Sequence, residues 1–381
     1  MLSLRGCRII FVLFNLELGG AERQALILAR HLAEKEKADV EVWGFNKTGP
    51  VAQICEQLGL TSRLVSYPFD KANPWSLRKL TGIFREASPD ILLPYTFVPN
   101  VICGLIWKST GAGACVWNQR DEGRMPFVAD SARAAAQRTP MFISNSERGA
   151  SFLVDKLEVD PLKIKVIKNG IELSLPQDDR FVWRDRLMID DDCFVACMIA
   201  NLHAKKDHET LLRAWRRVVN EIGDRKPVLV LAGRHDGAYE SLAALTRELN
   251  LNDHVRFSGQ ISDVSGLLKA SDLGVFSSTC EGCPNGVLES MAAGLAVAGT
   301  DIDQIRSVLG PDSSEFLAPP KDDVGLATAI LKLANDADLR ITLGTANRKR
   351  VEENYTASRM CDETVAVLKE LQSLRSSVSL R

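Results

Sequence analysis

The sequence is poor in several of the features that usually settle function. Its 381 residues include only five histidines and four tyrosines. Its longest nearly apolar stretch, VPNVICGLIW, falls far short of the roughly 20 residues a membrane-spanning helix needs. Positive and negative side chains almost cancel, 47 against 49, for a net charge of -2. A chain without a basic surplus is not built for non-specific nucleic-acid binding, so no nucleic-acid partner is expected. Cysteine is present nine times, but only Cys280 and Cys283 form a C-x-x-C. No second pair and no neighbouring histidine completes a zinc set. Cys7, Cys103, Cys115, Cys193 and Cys197 lie in apolar runs and read as core fillers. The dinucleotide pattern G-x-G-x-x-G is missing, as are tandem repeats and low-complexity tracts.

What is present is an alternation. CRIIFVLF, DVEVWGF, ILLPYTF, GACVWNQ, MFISNS and IKVIKNG are strand-like runs, with helical periods between several of them. Such runs are apolar throughout rather than at every second residue, the mark of strands covered on both faces in a parallel sheet. The N-terminal MLSLRGCRIIFVLF imitates a secretory leader, but no small-residue cleavage site follows it. It reads as a buried first strand, which gives a cytoplasmic expectation, with peripheral contact at the inner face of a membrane as an option. The pattern weakens across the polar ELSLPQDDRFVWRDRLMIDDD and then restarts in CFVACMIANL, PVLVLAGR, VRFSG, LGVFSS and LAVAGT. The expected fold class is therefore α/β, with two doubly wound Rossmann-like domains facing across a cleft. The first spans 1–180, the second 181–355, and a C-terminal helix follows over 356–381. Ligands of such sheets bind beyond the carboxyl ends of strands, which directs attention to three loops.

The first loop, NLELGGAERQ, places Gly19 and Gly20 between a strand and a helix, where backbone amides can approach an oxyanion. A tight turn with no ligand is the equal alternative. The second, ANLHAKKDHETLL, sets Lys205 and Lys206 just ahead of a helix, where a cation opposes the helix dipole unless an anion lies between them. A solvated lysine pair is its ordinary reading. The third, STCEGCPNGVLES, starts a helix near Asn285. The amides of Asn285, Gly286 and Val287 can face a phosphate, Glu289 can take a ribose diol and Glu281 a second polyol. Here the alternatives are a dipole-favoured surface acid and ordinary loop polarity. Jointly the loops describe a diphosphate flanked by two polyols, which is a nucleoside diphosphate sugar.

LGGAERQ, NLHAKKDHETLLRA, VIKNGIE and above all EGCPNGVLE resemble family 4 of the retaining glycosyltransferases, of GT-B fold, over nearly the whole chain. The resemblance implies an enzyme of hexosyltransferase type. It would move a sugar from a nucleoside diphosphate sugar to a glycan or lipid-linked sugar acceptor, in polysaccharide or glycolipid synthesis, with no cofactor and no metal. It implies Glu289 on the ribose, Glu281 on the donor sugar, and Cys283, Pro284, Asn285, Gly286 and Val287 along sugar and diphosphate. Lys206 would stabilise the leaving group, Gly19 and Gly20 would lie near diphosphate and acceptor, and Gly233, Gln260 and Ile261 would border the nucleoside. It also implies that the C-terminal helix returns to the first domain. The departures are Asn201, where the family commonly has arginine, and Tyr95 with Gln119 and Arg120, where histidines are usual. These last three are the acceptor-side candidates, and Asn201 joins Lys206 and Glu281 as a catalytic candidate. The segment RMPF, Arg124 to Phe127, is a candidate contact for a lipid-linked acceptor. D-x-D occurs at Asp190-Asp191-Asp192 and Asp301-Ile302-Asp303 and reads as solvated acid. A nucleotide-sugar epimerase of the same fold, or a non-catalytic subunit that binds sugar nucleotide, are the rival readings.

Overall fold

The computed structural model describes residues 3–67, 74–123, 130–223 and 225–378. The RMPF segment lies outside them. The chain forms two compact units, 1–170 with 357–381, and 171–356.

The first unit contains β1 (Arg8–Leu13), α1 (Gly20–Glu34), β2 (Asp39–Phe45), α2 (Pro50–Gln57), β3 (Thr61–Val65), α3 (Pro74–Ala87), β4 (Ile91–Pro94), α4 (Phe97–Thr110), β5 (Ala114–Gln119), α5 (Asp130–Arg138), β6 (Met141–Ser144), α6 (Glu147–Leu157) and β7 (Ile164–Val166). All its strands pair in parallel, in the order β3-β2-β1-β4-β5-β6-β7. The apolar run of β1 shows why the sheet is covered twice. Ile9, Phe11 and Leu13 enter one core with Leu28 and Leu32 of α1, while Ile10 and Val12 enter another with Trp43, Phe84 and Ile102. Burying each such side chain contributes about 1.5–3 kcal/mol.

The second unit contains α7 (Arg180–Arg186), β8 (Val195–Ile199), α8 (His208–Glu221), β9 (Val228–Ala232), α9 (Tyr239–Glu248), β10 (Val255–Gly259), α10 (Val264–Ala270), β11 (Leu273–Phe276), α11 (Asn285–Ala292), β12 (Val297–Thr300), α12 (Asp303–Leu309), β13 (Leu317–Ala318), α13 (Asp323–Asn335) and α14 (Ala337–Asn354). Its six strands are also parallel, in the order β10-β9-β8-β11-β12-β13. In β8, Ala196 and Met198 face one core, Val195 and Cys197 the other. The switch between units falls at 170/171, ahead of the position 181 read from composition. The polar stretch that blurred it is structured within the second unit. Its Trp183 indole N–H donates to Asp263 ahead of α10 (2.8 Å), and Arg184 pairs with Asp272 (3.1 Å).

Helix α15 (Ala357–Val378) belongs to the first unit. It packs there through Met360, Cys361 and Leu368, and Lys369 pairs with Glu36 at 2.8 Å. No helix among the described residues is long and apolar enough to cross a membrane. All nine cysteines are thiols, seven of them buried. Burial pushes Cys55 up to about 11 and Cys197 up to about 12, so these groups fill space rather than react.

Candidate functional site

In the second sheet the strand order reverses between β8 and β11. Loops leaving two such strands diverge to opposite faces and open a crevice at their carboxyl ends. Both polar loops of the sequence emerge at this point. After β8 the chain runs through Ala200 and Asn201 to a short 3-10 turn over Ala204–Lys206. Asp207 then adopts φ 49°, and its carboxylate caps α8 by accepting from the Thr210 amide (3.5 Å) and hydroxyl (2.7 Å). That reversal fixes where Lys206 stands. Its backbone is fixed from the other loop. Ser277 Oγ donates to the Lys206 carbonyl at 2.8 Å, and the Thr279 amide donates to the Lys205 carbonyl at 2.9 Å.

The structure brings two of the sequence candidates directly together. Lys206 Nζ contacts Glu281 Oε1. The same oxygen accepts from Ser278 Oγ at 2.7 Å. Glu281 is 6% exposed, and Oε2 has no hydrogen bond among the described residues. The carboxylate is thus held by one edge with its second oxygen open. Ser278, fully buried, went unnoticed in the sequence, where it is one of two adjacent serines and carries no signal of its own.

The Glu281 loop leads through Cys283 and Pro284 into α11, whose first residue is Asn285. No side chain caps that end. The helix start lies hard against β8. A Cβ on Gly286 would stand 2.3 Å from the Ile199 carbonyl oxygen, so only glycine lets α11 begin there. Val287 is buried and Glu289, one turn in, is 8% exposed. Gly233 does the same service after β9, since a Cβ there would stand 2.0 Å from the Ala200 carbonyl oxygen. Asn201 Oδ1 accepts from the Arg234 amide at 3.1 Å, so this side chain ties the β8 and β9 loops together. Gln260 is exposed and Ile261 half-buried, immediately after β10.

His208, the first residue of α8, is a further group at this loop. It is buried, and its Nε2 has no hydrogen-bond partner among the described residues. Burial, reinforced by the charge of Lys206, pushes its pKa down to about 3. It is neutral throughout the physiological range.

In the first sheet the order reverses between β1 and β4. Gly19 is the extended N-cap of α1 and Gly20 its first residue. Tyr95 and Thr96 follow β4, Thr96 at φ 68°, a conformation that costs a β-branched residue of order 1–3 kcal/mol. Tyr95 is fully buried beneath Arg120, whose guanidinium carbon lies 4.6 Å from the ring centre. Gln119 is spent internally. It accepts from the Trp117 indole (3.0 Å) and donates to the Asp121 carbonyl and carboxylate (3.0 and 2.8 Å). Arg120 is half-buried at the end of β5.

Of the two D-x-D triplets, Asp190 and Asp192 lie near Cys193 on the surface, with Lys226 3.8 Å from Asp190. Asp301 and Asp303 both pair with Arg306.

A family model described as Glycosyltransferase Family 4 matches residues 18–175, and one described as Glycosyl transferases group 1 matches residues 193–336. The chain is similar to the UDP-Gal:alpha-D-GlcNAc-diphosphoundecaprenol alpha-1,3-galactosyltransferase of Escherichia coli. The two are 24% identical over 57% of each protein. It is also similar to the lipopolysaccharide core biosynthesis glycosyltransferase LpsD of Rhizobium meliloti, with 31% identity over 48% of this chain and 51% of that one. The chain spans about half the length of the curated relatives it matches. Among solved structures it matches HepE of Anabaena, crystallised with UDP and glucose, with a TM-score of 0.82. Identity is 18%, over 95% of this chain and all of that one. The sucrose-phosphate synthase of Thermosynechococcus elongatus matches with a TM-score of 0.78 and 18% identity, over 96% and 100%. The fold is the GT-B architecture of these enzymes.

Proposed function

The chain belongs to the glycosyltransferases of family 4 and group 1, and on that premise we propose that it is a retaining hexosyltransferase that moves a sugar from a nucleoside diphosphate donor to an acceptor hydroxyl. The observation that carries this reading is the Lys206–Glu281–Ser278 cluster beside the start of α11, at the strand switch of the second sheet.

Lys206 is the cation for the diphosphate and Glu281, through its open Oε2, the acceptor for sugar hydroxyls. Glu289 takes the ribose diol, and the amides of Asn285, Gly286 and Val287 assist the diphosphate. Gly233, Gln260 and Ile261 border the base. Asn201 contributes geometry, by joining two loops, where an arginine would contribute charge. Departure of the nucleoside diphosphate is then driven by fixed electrostatics in place of a metal ion. Glu281 is engaged by Lys206 and Ser278 on one oxygen, which suits hydroxyl recognition better than nucleophilic attack on the sugar. Retention follows from a front-face path, in which the leaving phosphate accepts the proton of the attacking hydroxyl. The names of the relatives support an acceptor in lipid-linked glycan, polysaccharide or glycolipid synthesis. The UDP and UDP-glucose complexes of HepE support uridine as the first base to try.

The test is a thermal-shift and calorimetric panel of UDP, GDP, ADP and their common sugars on wild type and Glu289→Ala. One nucleotide is expected to stabilise wild type and to lose at least about tenfold in affinity in the variant, as loss of a charged hydrogen-bond partner implies. A panel without any response, or equal binding by both proteins, would remove the donor site from the β8 and α11 loops.

A further inference from the structure

Lys206 and Glu281 are the two side chains on which the donor reading leans hardest, and they are engaged with each other. Lys206 Nζ contacts Glu281 Oε1, its one carboxylate partner among the described residues. The neighbouring groups offer the ammonium no other anion. The Asp207 carboxylate is turned to Thr210, and His208 is buried and neutral. The two charges are brought together by their backbones. Ser277 Oγ donates to the Lys206 carbonyl at 2.8 Å, the Thr279 amide to the Lys205 carbonyl at 2.9 Å, and Thr300 Oγ1 to the Ser278 carbonyl. The loops after β8, β11 and β12 are thereby tied to one another, and the ion pair follows from that tie.

Burial of the pair is unequal. The Lys206 side chain keeps 25% of its surface exposed, that of Glu281 only 7%. A long, partly exposed ammonium can swing to a new anion. The shorter carboxylate, held by Ser278 Oγ at 2.7 Å, cannot follow it. Withdrawing the lysine therefore leaves Glu281 a nearly buried anion with one hydroxyl upon it. Losing one partner of a buried pair is strongly unfavourable, because the other charge stays uncompensated. A polyol placed beside Glu281 relieves this, since a carboxylate accepts several hydroxyl hydrogens and such charge-assisted bonds are strong.

We propose that the Lys206–Glu281 pair is an internal counter-ion that an incoming diphosphate must displace, and that this exchange weights the site toward the intact sugar nucleotide and against the nucleoside diphosphate. A nucleoside diphosphate takes Lys206 and strands Glu281. A nucleoside diphosphate sugar takes Lys206 with its phosphates and gives Glu281 the sugar hydroxyls in return. Grip on the diphosphate and recognition of the sugar are then one coupled event. Once the sugar has left, Glu281 competes again for Lys206, which favours release of the nucleoside diphosphate. The inference rests on the transferase reading and deepens it.

The experiment is calorimetric titration of the full chain with UDP and UDP-glucose, and with GDP and GDP-mannose as a second pair. Wild type, Glu281→Gln, Lys206→Ala and the double variant are compared, and the melting temperature of each protein is recorded without nucleotide. Glu281→Gln is expected to bind the nucleoside diphosphate about tenfold more tightly than wild type, because the ammonium has lost its competitor. Its preference for the sugar nucleotide over the nucleoside diphosphate should fall by about tenfold or more. In the Lys206→Ala background the same substitution should give little of that gain. Unchanged nucleoside diphosphate affinity in Glu281→Gln overturns the proposal, since Glu281 would then be a sugar contact alone. Weaker binding of both ligands also overturns it, and a lower melting temperature beside that loss marks a merely structural pair. An equal gain with and without Lys206 assigns the effect to repulsion between carboxylate and phosphate, and overturns the exchange. If Glu281→Gln does not fold, Glu281→Asp, whose carboxylate stands one methylene further back, decides by the same split. Failure of the transferase reading is seen separately, as no response of wild type to any of these nucleotides, and removes the exchange with it.

Discussion

Arg184 in the second unit and Arg120 in the first are both drawn out of water, and the protein treats them in opposite ways. Arg184 is 1% exposed and saturated. It pairs with Asp272 at 3.1 Å and donates to the carbonyls of Asp190, Asp191 and Cys193 at 3.0 Å each and of Ala270 at 3.2 Å. Burial lowers its pKa while Asp272 opposes the shift. Arg120, less buried, has two long contacts to amides and an orphaned Nε. A cation whose donors are all used is joining pieces of its own fold. A cation held only by long contacts to neutral amides does much less of that joining. The Lys206–Glu281 pair sits between these extremes, because it is charge-balanced but leaves one carboxylate oxygen open.

The largest effect should come from the saturated end of the comparison. Arg184→Met removes the hub that ties α7 to the loop before β8 and to Asp272, and leaves that carboxylate short of one of its cations. Breaking such a buried pair costs about 3–5 kcal/mol. Denaturant titration should show that loss, with donor binding per folded molecule unchanged. A loss below about 1 kcal/mol would mean that saturation of donors does not mark a structural arginine, and the contrast with Arg120 would lose its basis.

The intermediate case is sharpened by two substitutions in the same cluster. Lys206→Ala should reduce turnover of the donor by about 100- to 1,000-fold, the cost of one lost oxyanion donor, with a smaller change in stability. Ser278→Ala should do less, about tenfold, because it loosens Glu281 without removing charge. Ser278 acts through Glu281, so the loss should appear in kcat and KM for donors bearing the sugar hydroxyls, and shrink for a donor that lacks them. A Ser278→Ala defect equal for all donors would make this serine a plain packing residue.

Much of this frame was legible in the sequence, and the reasons are physical. Strands covered on both faces have nowhere to put a polar residue, so β1, β2, β8 and β9 announce themselves as apolar runs. The edge strand β3 did not, because TSRLV exposes most of its length, and β13 is two residues long. Glu281, Lys206 and the α11 start were legible because glycines, a proline and charges at strand ends are costly unless used. The roles of Arg184, Ser278 and Asn118 were not. Each is a common residue type whose meaning lies in partners far away in sequence, such as Asp272, which lies 88 residues from Arg184. Gln119 and Tyr95 mark the same divide. Their position after a strand was legible, but their partners were not: Gln119 bonds Trp117 and Asp121, and Tyr95 is buried under Arg120.

His208 completes the comparison as a buried titratable group whose Nε2 has no hydrogen-bond partner among the described residues and which escapes the cost by staying neutral. The sign of its pH effect follows directly. The unfolded chain takes up a proton on this imidazole below its ordinary value near 6.5, while the folded protein refuses it until about pH 3. Its stabilising contribution is therefore fully present above pH 6.5 and is lost progressively as pH falls toward 3. At pH 7 and above His208→Asn should differ from wild type only by a packing change. Between pH 6.5 and 3 wild type should lose stability more steeply than the variant, in which nothing titrates at this position. Denaturation midpoints measured across that window in both proteins decide it. Parallel slopes would show that the folded protein takes up this proton as readily as the unfolded chain, and would overturn the neutral assignment of His208.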